Sequence, residues 1–121
     1  MNLDYKIEHR DDILWVDAHG TLGTIEDAKA YFIAVANALK DNNTIKVVCD
    51  DCEIDYKLDI VDTYELGKFV SRSLPQMVRI AIVFNPAYKE EVSFWENVVN
   101  NLGLTIKTFT DYDKAVNWVN K

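Results

Sequence analysis

Residues 78–84 read Val-Arg-Ile-Ala-Ile-Val-Phe, and this stretch together with the Asn85-Pro86 that follows decides the fold. Apart from Arg79 it is apolar on both faces, as expected of a strand that is covered on both sides or lies centrally in its sheet. Asparagine followed by proline is typical of a helix start, and Gly103 is a suitable helix stop. The apolar residues between them recur at steps of four and three, as in an amphipathic helix: Tyr88, Val92, Trp95, Val99 and Leu102. A buried strand followed by such a helix indicates an α/β sheet.

The same alternation continues on both sides of this unit. Residues 3–9 and 13–19 predict a hairpin closed by Asp11 and Asp12, in which Ile7 faces Val16. The other predicted elements are a helix that begins at Thr24 and ends at residues 41–43, a strand at 44–50, a helix from Asp59 to about Ser73, a strand at 104–109 and a short helix capped by Asp111. The predicted order is therefore β-β-α-β-α-β-α-β-α. It describes one domain over residues 1–121, with four helices on a mixed five-stranded sheet that is mostly parallel and has an antiparallel N-terminal strand at or near its edge.

Composition narrows the class of protein further. The chain has 121 residues, 49% of them hydrophobic, which fits one ordinary globular core. Its formal net charge of −7 repels phosphate groups, so neither nucleic acid nor an anionic membrane is an expected partner. No apolar run approaches the ~18 residues of a membrane span, and the N-terminus lacks the apolar core of a signal peptide. We therefore expect a cytoplasmic protein, and no motif predicts a cofactor or a metal.

Several strings resemble a known family. The most specific are Phe94-Trp95-Glu96-Asn97 and the ending Phe-Thr-Asp-Tyr-Asp-Lys-Ala-Val-Asn-Trp-Val at residues 109–119. Together with Gly20-Thr21-Leu22 and the order of elements, they resemble the bacterial SpoIIAA-like proteins, which share the STAS-type fold of the sporulation anti-sigma-factor antagonists. The resemblance covers essentially the whole chain. It implies the mixed sheet described above and suggests a regulatory role through contact with a protein partner.

The chain departs from the antagonists at one functional position. The resemblance implies a phosphorylatable serine in the turn after the third strand, at the start of the second helix. The corresponding residues 55–60 contain no serine, Asp59 stands near the expected phosphate position, and Thr63 is the nearest hydroxyl. Either this is a permanently charged relative or the domain never used the switch. The second interpretation is favoured because aspartate is also an ordinary helix cap.

The leading interpretation is a non-catalytic interaction domain that works through residues 50–67. Its acidic residues lack the spacing of a calcium loop and are interpreted as a solvated acidic loop that faces a basic partner. Gly67, inside a predicted helix, indicates close approach of another backbone or of a bound molecule. The alternative function is therefore binding of a small apolar or amphiphilic ligand in a groove beside the second helix. The candidate residues for both are Asp50, Asp51, Tyr56, Leu58, Asp59, Asp62, Thr63, Tyr64 and Gly67.

A third interpretation is an enzyme of unknown reaction that uses groups at the carboxyl ends of the strands. His19 near carboxylates is a candidate general base, with Asn85 and Asp111 beside it. Helix capping is the stronger explanation of Asn85 and Asp111, so no catalytic residue is assigned and the balance favours no enzyme. Cys49 and Cys52 form a C-x-x-C, but two intervening aspartates oppose the lowered pKa that a redox thiol needs.

Trp15 is the remaining candidate for an interaction surface. It lies on the outer face of the predicted hairpin, where no helix is clearly assigned to cover it. An uncovered tryptophan favours a homodimer or another partner surface. A terminal helix that packs over the ring is the alternative.

Overall fold

The structure is a computed structural model that describes residues 3–121. Its strands are β1 (Leu3–Arg10), β2 (Ile13–Leu22), β3 (Lys46–Tyr56), β4 (Arg79–Val83) and β5 (Thr105–Phe109), and its helices are α1 (Ile25–Asn42), α2 (Ile60–Ser73), α3 (Lys89–Asn101) and α4 (Tyr112–Val119). The sheet order is β1-β2-β3-β4-β5, with β1 antiparallel to β2 and all other neighbours parallel. The predicted fold class is therefore confirmed, including the antiparallel strand at the edge.

Turn and cap residues set the boundaries of most elements. Asp11 and Asp12 both have positive φ, 55° and 62°, the conformation of a two-residue hairpin turn, and Ile7 faces Val16 as predicted. The Thr24 hydroxyl accepts a hydrogen bond from the backbone N–H of Asp27 at 3.1 Å and so caps α1. The start of α3 differs from the prediction, because a single 3-10 turn, Pro86–Tyr88, comes between Asn85 and this helix.

The third strand is longer than predicted. Residues 44–50 were expected to form it, but β3 continues to Tyr56 because β2 also continues, to Leu22, and the two strands pair again from Glu53 onward. Parallel partners in this extension include Gly20 with Ile54 and Leu22 with Tyr56. The prediction of a solvated loop is therefore wrong for residues 50–55, which lie in β3, while Asp62 and Glu65 lie in α2.

Two apolar cores lie on opposite faces of the sheet. The larger packs α1, α2 and α3 against one face, with fully buried side chains such as Val35, Leu66 and Val99. The smaller lies under α4, where Ala115 and Val119 pack on residues of β2, β3 and β4. The larger core contains the cavity and the helix surface described next.

Candidate functional site

An apolar cavity of about 60 Å³ lies within the larger core, beside α2. Its walls come from the sheet and from α1, α2 and α3, together with the segment that joins β3 to α2. The lining residues are Leu3, Leu22, Tyr31, Phe32, Cys49, Asp51, Ile54, Tyr56, Leu58, Thr63, Leu66, Ile80, Ile82, Glu91, Val92 and Trp95. Four of the predicted candidates (Asp51, Tyr56, Leu58 and Thr63) are among them.

One part of the cavity wall is polar. Asp51 is only 6% exposed, and its Oδ2 accepts a hydrogen bond from the Tyr56 hydroxyl at 3.0 Å. Its other oxygen, Oδ1, has no hydrogen-bond partner among residues 3–121, and neither has the hydroxyl of Tyr31, a residue that is 3% exposed. Buried polar atoms are nearly always paired, so two unpaired atoms on one cavity wall mark an unusual place.

A bulge in β3 brings Asp51 and Tyr56 to the same face. Side chains alternate along a strand, so residues five positions apart normally point to opposite faces. Between Asp17 and His19 on β2, the partner position on β3 advances from Asp50 to Glu53, which inserts one extra residue. The extra residue reverses the alternation of side chains along β3 beyond the bulge, so Asp51 and Tyr56 both line the cavity.

Burial controls the electrostatics of this wall. It raises the pKa of Asp51 from 3.8 to about 7; the hydrogen bond from Tyr56 opposes this rise and the charge of Asp50 adds to it. Burial is also the main reason why the pKa of Tyr31 is raised, with Cys49 and Asp51 adding to the effect. The Asp51 carboxyl therefore takes up its proton at a much higher pH than an exposed aspartate does.

A second feature is the exposed surface at the start of α2. Ile60 is 72% exposed, Val61 70% and Tyr64 48%, whereas Leu66 and Val70 on the opposite side of the helix are buried. We call Ile60, Val61 and Tyr64, with their neighbours Asp59 and Asp62, the α2 surface. Ile60 and Val61 were missed as candidates. Their position outside the apolar stripe of the helix could have identified them from sequence.

The carboxylate at the start of α2 has a defined structural role. Asp59 caps the helix by accepting a hydrogen bond from the backbone N–H of Asp62 at 2.7 Å. The Thr63 hydroxyl donates to the backbone oxygen of Asp59 at 2.7 Å, so it is engaged within the helix turn. The Thr63 hydroxyl, the nearest that the sequence offered, is thus half-buried and already bonded.

The family assignment rests on a match over most of the chain. A family model described as SpoIIAA-like matches residues 13–120. The chain belongs to the SpoIIAA-like family. No curated protein matches it significantly.

Three solved structures are similar to this SpoIIAA-like protein over nearly its full length. An anti-sigma factor antagonist from Mycobacterium paratuberculosis has a TM-score of 0.67 at 13% identity, with 98% of this chain and 95% of that chain covered. An uncharacterised protein with a SpoIIAA-like fold from Shewanella loihica PV-4 has a TM-score of 0.59 at 23% identity, with coverage of 98% and 94%. The anti-sigma factor antagonist SpoIIAA in its unphosphorylated form has a TM-score of 0.55 at 13% identity, with coverage of 97% and 98%. At these identities the similarity shows a common fold.

Gly67 is explained by helix packing. A Cβ atom at this position would lie 2.6 Å from Cγ1 of Val98, and atoms of Val99 and Leu102 lie at 3.6 Å. The glycine therefore allows α3 to approach α2, and it does not line the cavity. Tyr64 does not line it either, since its ring lies at the surface with the Lys68 ammonium 5.2 Å from the ring centroid.

Each of the strand-end residues has a structural contact in this SpoIIAA-like fold. His19 lies within β2 rather than at its end, exposed, with Nε2 3.7 Å from the carboxylate of Asp4 on β1. Asn85 accepts a hydrogen bond from the N–H of Ala87, and Asp111 caps α4 by accepting from Asp113 at 2.9 Å. Capping, the alternative explanation, thus accounts for both Asn85 and Asp111.

The two cysteines are free, and their surroundings disfavour a reactive thiolate. Cys49 is buried in the larger core, and burial raises its pKa well above the usual value. Partial burial and then its hydrogen bond with Asp50 raise the pKa of Cys52 to about 11. Among residues 3–121, no group of three or more histidine, cysteine, aspartate or glutamate side chains is arranged to hold a metal ion.

Trp15 is covered by the C-terminal helix. Its ring stacks on Tyr112 with a centroid distance of 6.1 Å and an interplanar angle of 17°, and the Arg10 guanidinium lies 4.8 Å from the ring. Asp50 lies on this outer face, beside Trp15 and Tyr112. The cover removes the observation on which the homodimer prediction depended, and the homodimer itself stays a prediction. No helix within residues 3–121 is long and apolar enough to cross a membrane.

Proposed function

We propose that this SpoIIAA-like chain is a non-catalytic regulatory domain that binds a protein partner through the α2 surface. The observation that carries the proposal is the exposure of Ile60 and Val61, 72% and 70%, next to each other in the first turn of a helix. Fully burying an aliphatic side chain is worth about 1.5–3 kcal/mol, so covering both would contribute strongly to a complex. Adjacent exposed aliphatic residues of this kind are typical of an interaction site.

Charge defines the kind of partner. Asp59 and Asp62 flank the apolar pair, and the chain as a whole carries a formal charge of −7. A partner with an apolar depression and a basic rim fits this surface, because opposite charges speed the encounter and the apolar contact supplies affinity.

The similarity to anti-sigma factor antagonists supports a regulatory role. We propose that this role is not controlled by phosphorylation of a serine at the start of the second helix. The resemblance places their phosphorylatable serine at the start of the second helix, where this chain has Asp59. Here the side-chain oxygen of Asp59 is used to cap α2. We therefore propose that the α2 surface binds its partner constitutively, without a phosphorylation switch at this helix start.

The test compares two serine substitutions on α2 with a matched control. The variant Ile60→Ser/Val61→Ser should lose its partner by at least tenfold in Kd while keeping its melting temperature, since both side chains are mostly exposed. Met77→Ser, at a residue that is 69% exposed outside α2, should bind like the wild type. Partners captured by the wild type are identified by mass spectrometry, purified and titrated by calorimetry.

Charge is tested separately by Asp59→Asn and Asp62→Asn. Asparagine caps a helix as well as aspartate does, so Asp59→Asn removes charge and retains the cap. We expect slower association with little change in stability. Unchanged affinity of the Ile60→Ser/Val61→Ser variant for every purified partner would refute the proposed surface.

A further inference from the structure

The outer side of β1 is a sheet edge with free backbone groups. β1 is the first strand of the sheet, and within residues 3–121 only β2 pairs with it. The two-residue turn with positive φ makes Arg10 and Ile13 the hydrogen-bonded pair that closes the hairpin. Hydrogen-bonded pairs alternate along an antiparallel ladder, so the odd-numbered residues of β1 point their N–H and C=O groups away from β2. Such an edge can pair with another strand unless its side chains prevent this.

The charges on β1 alternate in sign along one face of the strand. Since the side chains of Tyr5 and Ile7 pack against the larger core, the residues between and beside them lie on the opposite, outer face: Asp4, Lys6, Glu8 and Arg10. Their side chains are well exposed, from 46% for Glu8 to 77% for Asp4. Charge on an edge strand commonly prevents association. Alternating signs do not, because a second copy of the same strand offers the opposite charge at every position in one register.

We propose that two copies of this chain associate through β1, paired antiparallel across a two-fold axis at Ile7, so that their sheets become one. In this register Lys6 lies opposite Glu8 of the second copy, and Asp4 lies opposite Arg10. Because the faces of the two sheets must match, the strands can shift only by two residues at a time. Either shift sets Lys6 opposite Lys6 or Glu8 opposite Glu8, which is unfavourable. The charges therefore select one self-complementary register, as a two-fold dimer requires.

The free backbone groups fit the same register. With Ile7 opposite Ile7, Tyr5 lies opposite His9, and these are the residues whose N–H and C=O groups point to the free edge. Their pairing forms about six backbone hydrogen bonds between the two copies. The charged residues then occupy the positions that are not hydrogen-bonded, where opposite side chains are closest. Backbone pairing and charge pairing thus favour one arrangement.

The neighbouring helix leaves room for a second copy. The ring of Tyr31 on α1 packs edge-on against Tyr5 of β1 at a centroid distance of 5.0 Å, so this flank of α1 lies over the strand. Ala34 and Ala38 follow Tyr31 by three and seven residues, which places them on the same flank, and both are half-buried. Their small side chains allow the α1 helices of two copies to lie side by side above the joined strands.

Sedimentation velocity measures the association of the intact protein, from about 5 µM to about 500 µM. We expect a monomer–dimer equilibrium without larger species, because a two-fold contact uses the β1 edge of both copies. Amide exchange followed by NMR locates the contact. The amide hydrogens of Tyr5, Ile7 and His9 should exchange more slowly as the concentration rises. Those of Lys6 and Glu8 already bond to β2 and should change little.

Charge exchange at one pair tests the register. Lys6→Glu and Glu8→Lys each set like charges opposite each other twice in the dimer, so each should raise the dimer Kd by about tenfold or more. An equimolar mixture of the two variants should form a heterodimer, because each offers the charge that the other lacks. The double variant Lys6→Glu/Glu8→Lys restores both pairs and should dimerise within about threefold of the wild type. Lys89→Glu, the same charge change at an exposed position on α3, is the control and should dimerise like the wild type.

A proline substitution tests the backbone pairing. The N–H of His9 points to the free edge, so His9→Pro removes hydrogen bonds of the dimer and leaves the pairing of β1 with β2 intact. It should raise the dimer Kd by about tenfold or more, whereas His9→Ala should dimerise like the wild type. Circular dichroism checks that each variant is folded, and the amide exchange experiment needs no substitution at all.

Four results would overturn the proposal. The first is a monomer at every concentration, which would leave the edge to a strand of another protein. The second is a dimer that neither Lys6→Glu nor His9→Pro weakens, and the third is a mixture of Lys6→Glu and Glu8→Lys that stays monomeric. The fourth is a dimer without added protection at the odd-numbered residues of β1. Because no tested residue belongs to the α2 surface, failure here leaves the proposed protein interaction standing, and the reverse also holds.

Discussion

Replacement of Asp51 by asparagine should make the protein more stable, and the gain should depend on pH. Burial raises the pKa of this carboxyl from 3.8 to about 7, so the folded state holds the proton more tightly than the unfolded chain does. The contribution of Asp51 to the stability of the wild type is therefore most favourable below pH 4, falls as pH rises from about 4 to 7, and then levels off. Three pKa units correspond to about 4 kcal/mol, which is the full cost of the ionised carboxyl above pH 7. Asparagine avoids this cost and can still accept the hydrogen bond from Tyr56.

Urea denaturation at pH 4, 5.5 and 8 measures this effect. The free energy of unfolding of Asp51→Asn relative to the wild type should increase by several kcal/mol between pH 4 and pH 8. Asp41→Asn, at an exposed position in the last turn of α1, is the control and should differ little from the wild type at every pH. An Asp51→Asn variant whose stability relative to the wild type is the same at pH 4 and pH 8 would refute the argument that Asp51 is held protonated by burial.

Three further substitutions test the packing around the site. Gly67→Ala should lower the free energy of unfolding by about 1 kcal/mol, because overpacking against Val98 outweighs the helix propensity of alanine. In a Val98→Ala background the same change should become stabilising, which a double-mutant cycle measures. Tyr112→Ala should cost about 1 kcal/mol and shift the indole N–H resonance of Trp15, whereas an unmoved resonance would contradict the stack. Tyr56→Phe removes the hydrogen bond that stabilises the ionised carboxyl, so the pH-dependent loss of stability should extend to higher pH, as repeated urea titrations would show.

Local chemistry was enough to predict most of the fold. The positive φ of Asp11 and Asp12, the caps at Thr24 and Asp59, and the helix stop at Gly103 are properties of a few adjacent residues, and each lies where the sequence placed it. These signals fixed the order of the elements and, through it, the antiparallel edge strand. The start of α3 differs from the prediction because a 3-10 turn and a first helical turn have the same local signature.

The site could not be predicted in the same way, because it depends on residues that are distant in sequence. Charges at Asp50, Asp51 and Glu53 are typical of a loop, and only pairing with the extended part of β2 makes a strand of them. The bulge then changes which face each side chain occupies, and the second unpaired group, Tyr31, comes from α1. No local pattern contains that combination.

The energetics of Asp51 set it apart from the other buried residues of the larger core. An apolar residue or an asparagine at this position would avoid the cost of ionisation, and replacing buried charged groups by apolar ones is often neutral or stabilising. Tyr56 pairs one carboxyl oxygen, yet the other is buried without a hydrogen-bond partner. The fold therefore carries a cost at Asp51 that an apolar side chain would avoid, and the Asp51→Asn substitution measures that cost directly.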